Sequence, residues 1–329
     1  MNVRPQEKII KENGSRFAHL ALDFVRVTEC AAVASARWIG KGESKAADKA
    51  AVDEMRRTLN QIDFQGEIVI GEGAKDKSFE LFVGEKVGKG NGPLLDLAVD
   101  PLECTDSVAF GRPNAITVIA IGPKGTLYKA ADSYMEKIAV SHAARNVIDL
   151  DQPVKDNIKK TAKALGKDVS EIVVAILDRE RHGRLIAEVR AAGARVQLFT
   201  DGDIAMAVAP SLSESPVDIL MGIGGSAEAV LSAAALKCLG GELLARWKPK
   251  DQSHIKRLHA HGVTDFKKIF SVEDLAKGKD VAFTATGVLS GPLLEGVVVT
   301  QDHVTTHSVV MSSHPKTIRF ITTHYKSIN

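Results

Sequence analysis

Leu94-Leu95-Asp96-Leu97-Ala98-Val99 runs without a break into Asp100-Pro101-Leu102-Glu103-Cys104-Thr105, and this stretch decides how the rest of the chain is read. Apolar residues dominate from Leu94 to Val99, which predicts a short strand. Asp100 and Glu103 flank Pro101 at its end. Carboxylates at a strand end point into a crevice, where hard cations such as Mg²⁺ or Mn²⁺ gather oxygen ligands.

Upstream, Glu67-Ile68-Val69-Ile70 predicts another strand, closed by Gly71-Glu72-Gly73. Downstream, Ala115 to Ile121 predicts a third, followed by the turn Gly122-Pro123-Lys124-Gly125. Consecutive strands this early imply a mixed or antiparallel sheet rather than strict βαβ winding. Two helices are expected before them. One covers Arg16 to Trp38; the other runs from Ala47 to Gln61, with Ala51, Met55 and Leu59 recurring every four residues. Later the pattern alternates. Helices at Pro153 to Leu165 and His182 to Ala192 each lead to a strand, at Ile172 to Leu177 and Arg195 to Thr200. Val217 to Met221 reads as a strand before an Ala-rich helix from Ser226 to Leu239. Strands are expected at Val281 to Thr286, Ser308 to Ser312 and Thr317 to Thr322, while Lys248 to Asp280 reads as polar and peripheral. The shift from strand-rich to alternating falls near 150–170. It predicts a metal-binding half over 1–160 and a second half over 161–329, tightly packed as one unit.

Four acids from three segments stand at element ends. Glu72 lies between glycines that release the backbone, Asp48 lies near a helix start, and Asp100 and Glu103 flank the proline. Two ions about 3.5–4 Å apart can clamp a phosphate and lower the pKa of attacking water, and such a site draws on several carboxylates. Each residue alone has a plainer reading. Asp-Pro and Gly-Glu-Gly are ordinary turns, and Thr105 alone is a helix cap or turn hydroxyl. Only the combination points to chemistry.

That combination, Asp-Pro-x-Glu-x-Thr after an apolar strand with Gly-Glu upstream, resembles the lithium-sensitive sugar and inositol phosphatase superfamily. Further segments narrow the resemblance to the class II, GlpX-type fructose-1,6-bisphosphatases. They are Val25-Arg26-Val27-Thr28-Glu29, Ala47-Asp48, Tyr134-Met135-Glu136-Lys137, Asp201-Gly202-Asp203, Met221-Gly222-Ile223-Gly224-Gly225, Thr286-Gly287 and Leu293-Leu294-Glu295-Gly296. They occur in the right order over nearly the whole chain. The resemblance implies an α/β (α+β) fold, the layered αβαβα sugar-phosphatase arrangement with mixed sheets. It implies metal-dependent hydrolysis of fructose 1,6-bisphosphate to fructose 6-phosphate and phosphate, in gluconeogenesis, with Mn²⁺ or Mg²⁺ as cofactor. Asp48, Glu72, Asp100, Glu103 and Glu228 would be the metal ligands. Thr105, Asp100 and Glu103 would be catalytic, with Thr105 at the attacking water. Glu103, Cys104, Thr105, Tyr134, Arg179, Arg181, Asp201, Gly202, Asp203 and Gly225 would meet the substrate, a small-molecule sugar bisphosphate. A cytoplasmic homo-oligomer, dimer or tetramer, is also implied.

The chain departs from the family pattern beside the site. Cys104 stands where the family has glycine, and Ser44 stands where it has a lysine that helps catalysis; Lys45 comes one residue late. A shift of one residue on a helix turns a side chain by roughly 100°. Ala74-Lys75-Asp76-Lys77-Ser78-Phe79-Glu80 replaces an acidic, proline-containing run. Glu180 separates the two arginines of Arg179-Glu180-Arg181-His182, and Gly225-Ser226-Ala227-Glu228-Ala229 lacks the family's proline. A retained metal site with weakened or altered phosphatase activity is expected.

Composition removes other classes. A net charge of +2 with interleaved charges, and only 5% aromatic residues, argues against nucleic acid. No run of about 18 apolar residues could span a membrane, and the N-terminus lacks an apolar signal core. Cys30, Cys104 and Cys238 form no CxxC pair, which suits a reducing cytoplasm. Asn13-Gly14-Ser15 reads as a helix start. His254, His259, His261, His303, His307 and His314 form no metal motif. One competing reading is dinucleotide binding at Gly222-x-Gly224-x-x-Ala227, with Glu242 at the ribose distance, although Glu228 would repel a pyrophosphate. The others are a phosphatase for sedoheptulose 1,7-bisphosphate or an inositol phosphate, and a degenerate paralogue with weak activity.

Overall fold

Residues 16–72 and 80–326 are described by the computed structural model, so the expectations for Asn13-Gly14-Ser15, Gly73 and Ala74 to Phe79 fall outside the described residues. The chain opens with helices α1 (Arg16–Ala36) and α2 (Ser44–Leu59). Strands β1 (Gln65–Ile70), β2 (Lys86–Val87) and β3 (Leu94–Glu103), helix α3 (Thr105–Phe110) and strand β4 (Ala115–Pro123) follow. Then come β5 (Tyr134–Val140), α4 (Val154–Leu165), β6 (Val173–Leu177), α5 (Gly183–Ala191), β7 (Arg195–Phe199), α6 (Asp203–Val208), β8 (Ile219–Gly225) and α7 (Ser226–Leu239). After β9 (Glu242–Trp247), α8 (Gln252–Ala260), β10 (Ile269–Phe270) and α9 (Val272–Leu275), the chain ends with β11 (Ala282–Leu289), β12 (Val298–Val299), β13 (His303–Ser313) and β14 (Lys316–Lys326).

Two compact units result: Met1–Leu127 with Gly278–Asn329, and Tyr128–Lys277. The sequence placed its break near 160, which lies inside α4 of the second unit, and the last strands return to the first. Each unit has its own mixed sheet, so the expected mixed α/β class holds. In the first unit the order is β12-β13-β11-β4-β3-β1-β2, with β14 on β13. Among the described residues, β1 and β3 are the one parallel pair there. In the second the order is β10-β9-β5-β8-β6-β7, and β6 lies parallel to both β7 and β8.

Side-chain period explains the cores. On α2 the buried residues Ala47, Ala51, Met55 and Leu59 form one stripe, as the four-residue spacing requires. They join Phe24 and Val27 of α1, Leu97 of β3 and Val310 of β13 in the first core. Ile158, Val174, Ile176, Val189 and Ile219 fill the second. The first core also carries a satisfied polar network. Thr28 Oγ1 meets Thr286 Oγ1 at 2.8 Å, and Thr117 donates to the Thr28 carbonyl at 2.8 Å. Buried Glu29 accepts from Thr306 at 2.8 Å and from the Tyr325 hydroxyl at 2.6 Å. Burial and the Glu29 carboxylate push the Tyr325 phenol well above its usual range. Thr28, Glu29 and Thr286 thus earn their place in the sequence pattern as tethers of α1 to the sheet.

Some elements were not expected. β3 continues past Val99 to Glu103, and β5, β9 and the short helices α3 and α6 were not read from the sequence. The stretch read as polar and peripheral contributes buried Leu258, Phe270, Val272 and Leu275, and β10 pairs with β9. Sparse apolar residues hid it, because each is a single anchor rather than a periodic face.

Candidate active site

In the first unit, strand register arranges the acids. Asp100 pairs with Val118 and Glu103 with Ile116, so four residues of β3 oppose three of β4. In a regular strand, positions three apart point to opposite faces. One extra residue corrects this, and Asp100 and Glu103 face the same side, as their partners Val118 and Ile116 do. Pro101 sits inside this bulge, where a missing N–H does least harm to the ladder. On the neighbouring parallel strand, Ile70 lies beside Ala98. Glu72 is two residues beyond Ile70, and Asp100 two beyond Ala98, so both leave the same end of strands about 4.8 Å apart. Asp100 and Glu72 are half-buried, and Glu103 is buried.

The chain then turns at Cys104, held at φ 73°, ψ 51° in the left-handed region, and Thr105 begins α3. Glycine adopts that conformation without strain; a residue with a Cβ does not. Asp48 lies on α2, which packs against both α3 and β3. Ser44 stands four residues before Asp48 and so on the same face, while Lys45 is exposed. Asp96, earlier on β3, differs from Asp100 despite a like setting in sequence: it is buried and accepts from Gly125 N at 2.6 Å and Leu127 N at 3.3 Å. It braces a turn.

In the second unit, the remaining predicted residues collect at the C-terminal ends of β6, β7 and β8 and the start of β5. Ligands bind outside the carboxyl ends of parallel strands in such sheets. Tyr134 pairs with Gly225 across β5 and β8. The Arg181 guanidinium lies 5.4 Å from the Tyr134 ring centroid and donates to the Ile223 carbonyl at 2.7 Å. Arg179 pairs with Asp201 at 2.9 Å. Glu180 between them is exposed, and the arginines turn elsewhere: Arg179 to the Asp178 carbonyl and Asp201, Arg181 to the Ile223 carbonyl. Gly202, at φ 96°, caps α6, and its neighbour Asp203 bonds to Lys137. Lys137 also donates to the Gly225 carbonyl at 3.2 Å. Glu228 sits one turn into α7, its carboxylate against the Cα of Gly225.

Two residues missed in sequence hold this cluster. Lys137 is one; its signal was a lysine at an inward position of an apolar strand. The other is His182. Ile223 N–H can only donate, so His182 Nε2 accepts it, at 2.8 Å; the ring proton is then on Nδ1 and goes to the Leu177 carbonyl at 2.7 Å. Burial holds the His182 pKa below its usual value.

The dinucleotide reading fails on this geometry. A Cβ on Gly224 would strike the Asp203 carboxylate, so an acid occupies the space a pyrophosphate would need. Glu242 accepts from Val272 N at 2.9 Å and Leu243 N at 3.0 Å rather than facing a ribose.

Among the described residues no group of three or more His, Cys, Asp and Glu side chains is gathered closely enough to hold a metal ion. Asp48, Glu72, Asp100 and Glu103 carry only carboxylate oxygens, a donor chemistry that suits Mg²⁺ or Mn²⁺ better than Zn²⁺. Also among the described residues, no helix is long and apolar enough to cross a membrane.

The match to known proteins places the chain among the phosphoric monoester hydrolases of the metal-dependent kind. Residues 18–325 match the family model for bacterial fructose-1,6-bisphosphatase, glpX-encoded, and the chain belongs to that family. It is 42% identical over 320 residues to the fructose-1,6-bisphosphatase 1 class 2 of Escherichia coli K12, covering 93% of this chain and 95% of that protein. The class 2 enzyme of Shigella flexneri matches with the same identity and coverage. A solved inositol monophosphatase from Anabaena (Nostoc) superposes loosely, with a TM-score of 0.34 and 12% identity over 77% of this chain and 99% of that one.

Proposed function

We propose that this chain hydrolyses the 1-phosphate of fructose 1,6-bisphosphate, using Mn²⁺ or Mg²⁺. The observation that carries the reading is the bulge in β3, which turns Asp100 and Glu103 to one face immediately before Thr105. A divalent ion, when bound, supplies positive charge to the phosphoryl oxygens and lowers the pKa of water. Asp48, Glu72, Asp100 and Glu103 would hold it, with Glu228 read as a further ligand. The Thr105 hydroxyl orients the attacking water. The water oxygen bonds to phosphorus as the ester P–O bond breaks, and the departing sugar oxygen takes up a proton. Glu103, Cys104 and Thr105 line the reacting phosphate. Arg179 and Arg181 suit the distal phosphate through their planar forks, while Tyr134, Asp201, Gly202, Asp203 and Gly225 meet the sugar. The enzyme works in the cytoplasm as a homo-oligomer, dimer or tetramer.

Phosphate release from fructose 1,6-bisphosphate tests this. Release should need Mn²⁺ or Mg²⁺, stop with chelator, and fall on the order of a hundredfold or more in Asp100→Asn. Release from the wild type no faster than from Asp100→Asn would sink the reading. Sedoheptulose 1,7-bisphosphate and an inositol phosphate, assayed beside it, separate the related substrates. A second reading, weakened activity, is favoured by exposed Lys45 and by Ser44 on the Asp48 face. Turnover equal to that of the E. coli relative would remove it.

A further inference from the structure

Lys137 lies in the middle of β5 with its side chain 1% exposed, while its partner Asp203 keeps 14% of its side chain open. The pair is buried unequally. The ammonium is closed off from solvent, and the carboxylate is partly open to it. Lys137 takes Asp203 through Oδ2 only, and it also takes the Gly225 carbonyl at 3.2 Å. Among the described residues, the hydrogen bond of the Asp203 carboxylate to Lys137 uses Oδ2 and not Oδ1. Gly224 makes the arrangement possible: a Cβ there would lie 2.8 Å from Lys137 Nζ and collide with Asp203, so backbone and ion pair are in direct contact.

We propose that Lys137 is a positioning residue for sugar recognition. It fixes Asp203 in one rotamer, with Oδ1 presented to a substrate hydroxyl, and locks the turn at Gly224-Gly225 against the same ammonium. The physical argument starts from cost. A buried ion pair is poor at stabilising a fold, because desolvation offsets its attraction, and an apolar pair of the same size often serves as well. A lysine retained here gains its use from holding one charged, rotatable acceptor still. Binding a polyol through a mobile carboxylate would forfeit affinity to the ordering of that side chain. The inference rests on the proposed sugar-phosphate site, in which Asp203 meets the sugar.

A double-mutant cycle read by calorimetric binding of fructose 6-phosphate, the product, tests it without requiring turnover. Lys137→Met and Asp203→Ala should each weaken binding on the order of tenfold, and the double variant should lose no more than either single. KM for fructose 1,6-bisphosphate should rise with them while Mn²⁺ affinity stays unchanged, which a general loss of structure would not produce. Lys137→Gln, which keeps a donor at the same place, should restore part of the affinity and stands in if Lys137→Met does not fold. Independent losses that add in the double variant, or a folded Lys137→Met or Lys137→Gln with wild-type affinity, would overturn the proposal. If the wild type binds fructose 6-phosphate yet releases no phosphate, the catalytic reading falls and the cycle still decides Lys137. If the wild type binds no sugar phosphate, both fall.

Discussion

Cys104 carries a Cβ at φ 73°, ψ 51°, between Glu103 and Thr105. A left-handed residue other than glycine costs roughly 1 kcal/mol, and the half-buried thiol recovers part of that against the first core. Cys104→Gly should therefore raise the stability to urea by up to about 1 kcal/mol. A fall in the unfolding midpoint would mean that the thiol contact outweighs the backbone strain. Ser44 is the second residue of this kind. It shares the Asp48 face of α2, whereas Lys45 is turned to solvent. Ser44→Lys should raise turnover on the order of tenfold, by returning a cation to the site, while Lys45→Ala leaves it unchanged. Equal rates in wild type and Ser44→Lys would show that this position does not limit the reaction. Both departures were legible as letters in the sequence. Their consequence was not, because a φ angle and a helix face are properties of the folded backbone.

At the scale of elements, the register of β3 matters more than its existence. The apolar run and Asp-Pro were enough to read a strand and its acids, but the extra residue that aligns Asp100 with Glu103 is set by pairing with β4. Pairing between distant segments has no local signature. The same holds for His182, which ties the end of β6 to β8 by accepting from Ile223 N while donating to Leu177 O. Protonating Nε2 breaks the first of these bonds and leaves the Arg181 acceptor, Ile223, loosely held. Burial lowers the folded pKa of His182 below the unfolded value of about 6.5. The unfolded chain then binds the proton more readily, so this contribution is fully present above about 6.5 and is lost as pH falls from there toward the folded pKa. Asp203, Arg179 and Arg181 are the charged groups that bear on the ring. Urea midpoints at pH 7.5 and 5.5 should drop more in the wild type than in His182→Gln, and parallel drops would refute the assignment.

Across the whole molecule, the first unit is discontinuous and the second is not. The sequence showed a change of pattern near 150–170 but gave no hint that residues after 278 rejoin the first sheet, since hydrophobic period reports an element and never its destination. The consequence is an asymmetry in autonomy. Tyr128–Lys277 contains every strand of its sheet and a closed core of Ile138, Ile158, Val174, Ile176, Val189 and Ile219. Residues 1–127 lack β11, which covers β4, and β13, whose Val310 completes the first core together with Ala282 and Val288 of β11. Cutting there exposes the edge of β4 and opens a cavity where large apolar side chains were packed, each worth about 2–5 kcal/mol, against a total stability of about 5–15 kcal/mol. Expressed alone, residues 128–277 should therefore give a cooperative thermal transition, and residues 1–127 should not. Adding residues 278–329 as a separate peptide should restore a transition to 1–127, because it returns the missing strands. A cooperative transition from 1–127 alone would show that β1, β3 and β4 with α1 and α2 already form a sufficient core, and that the return of the chain serves the site rather than the fold.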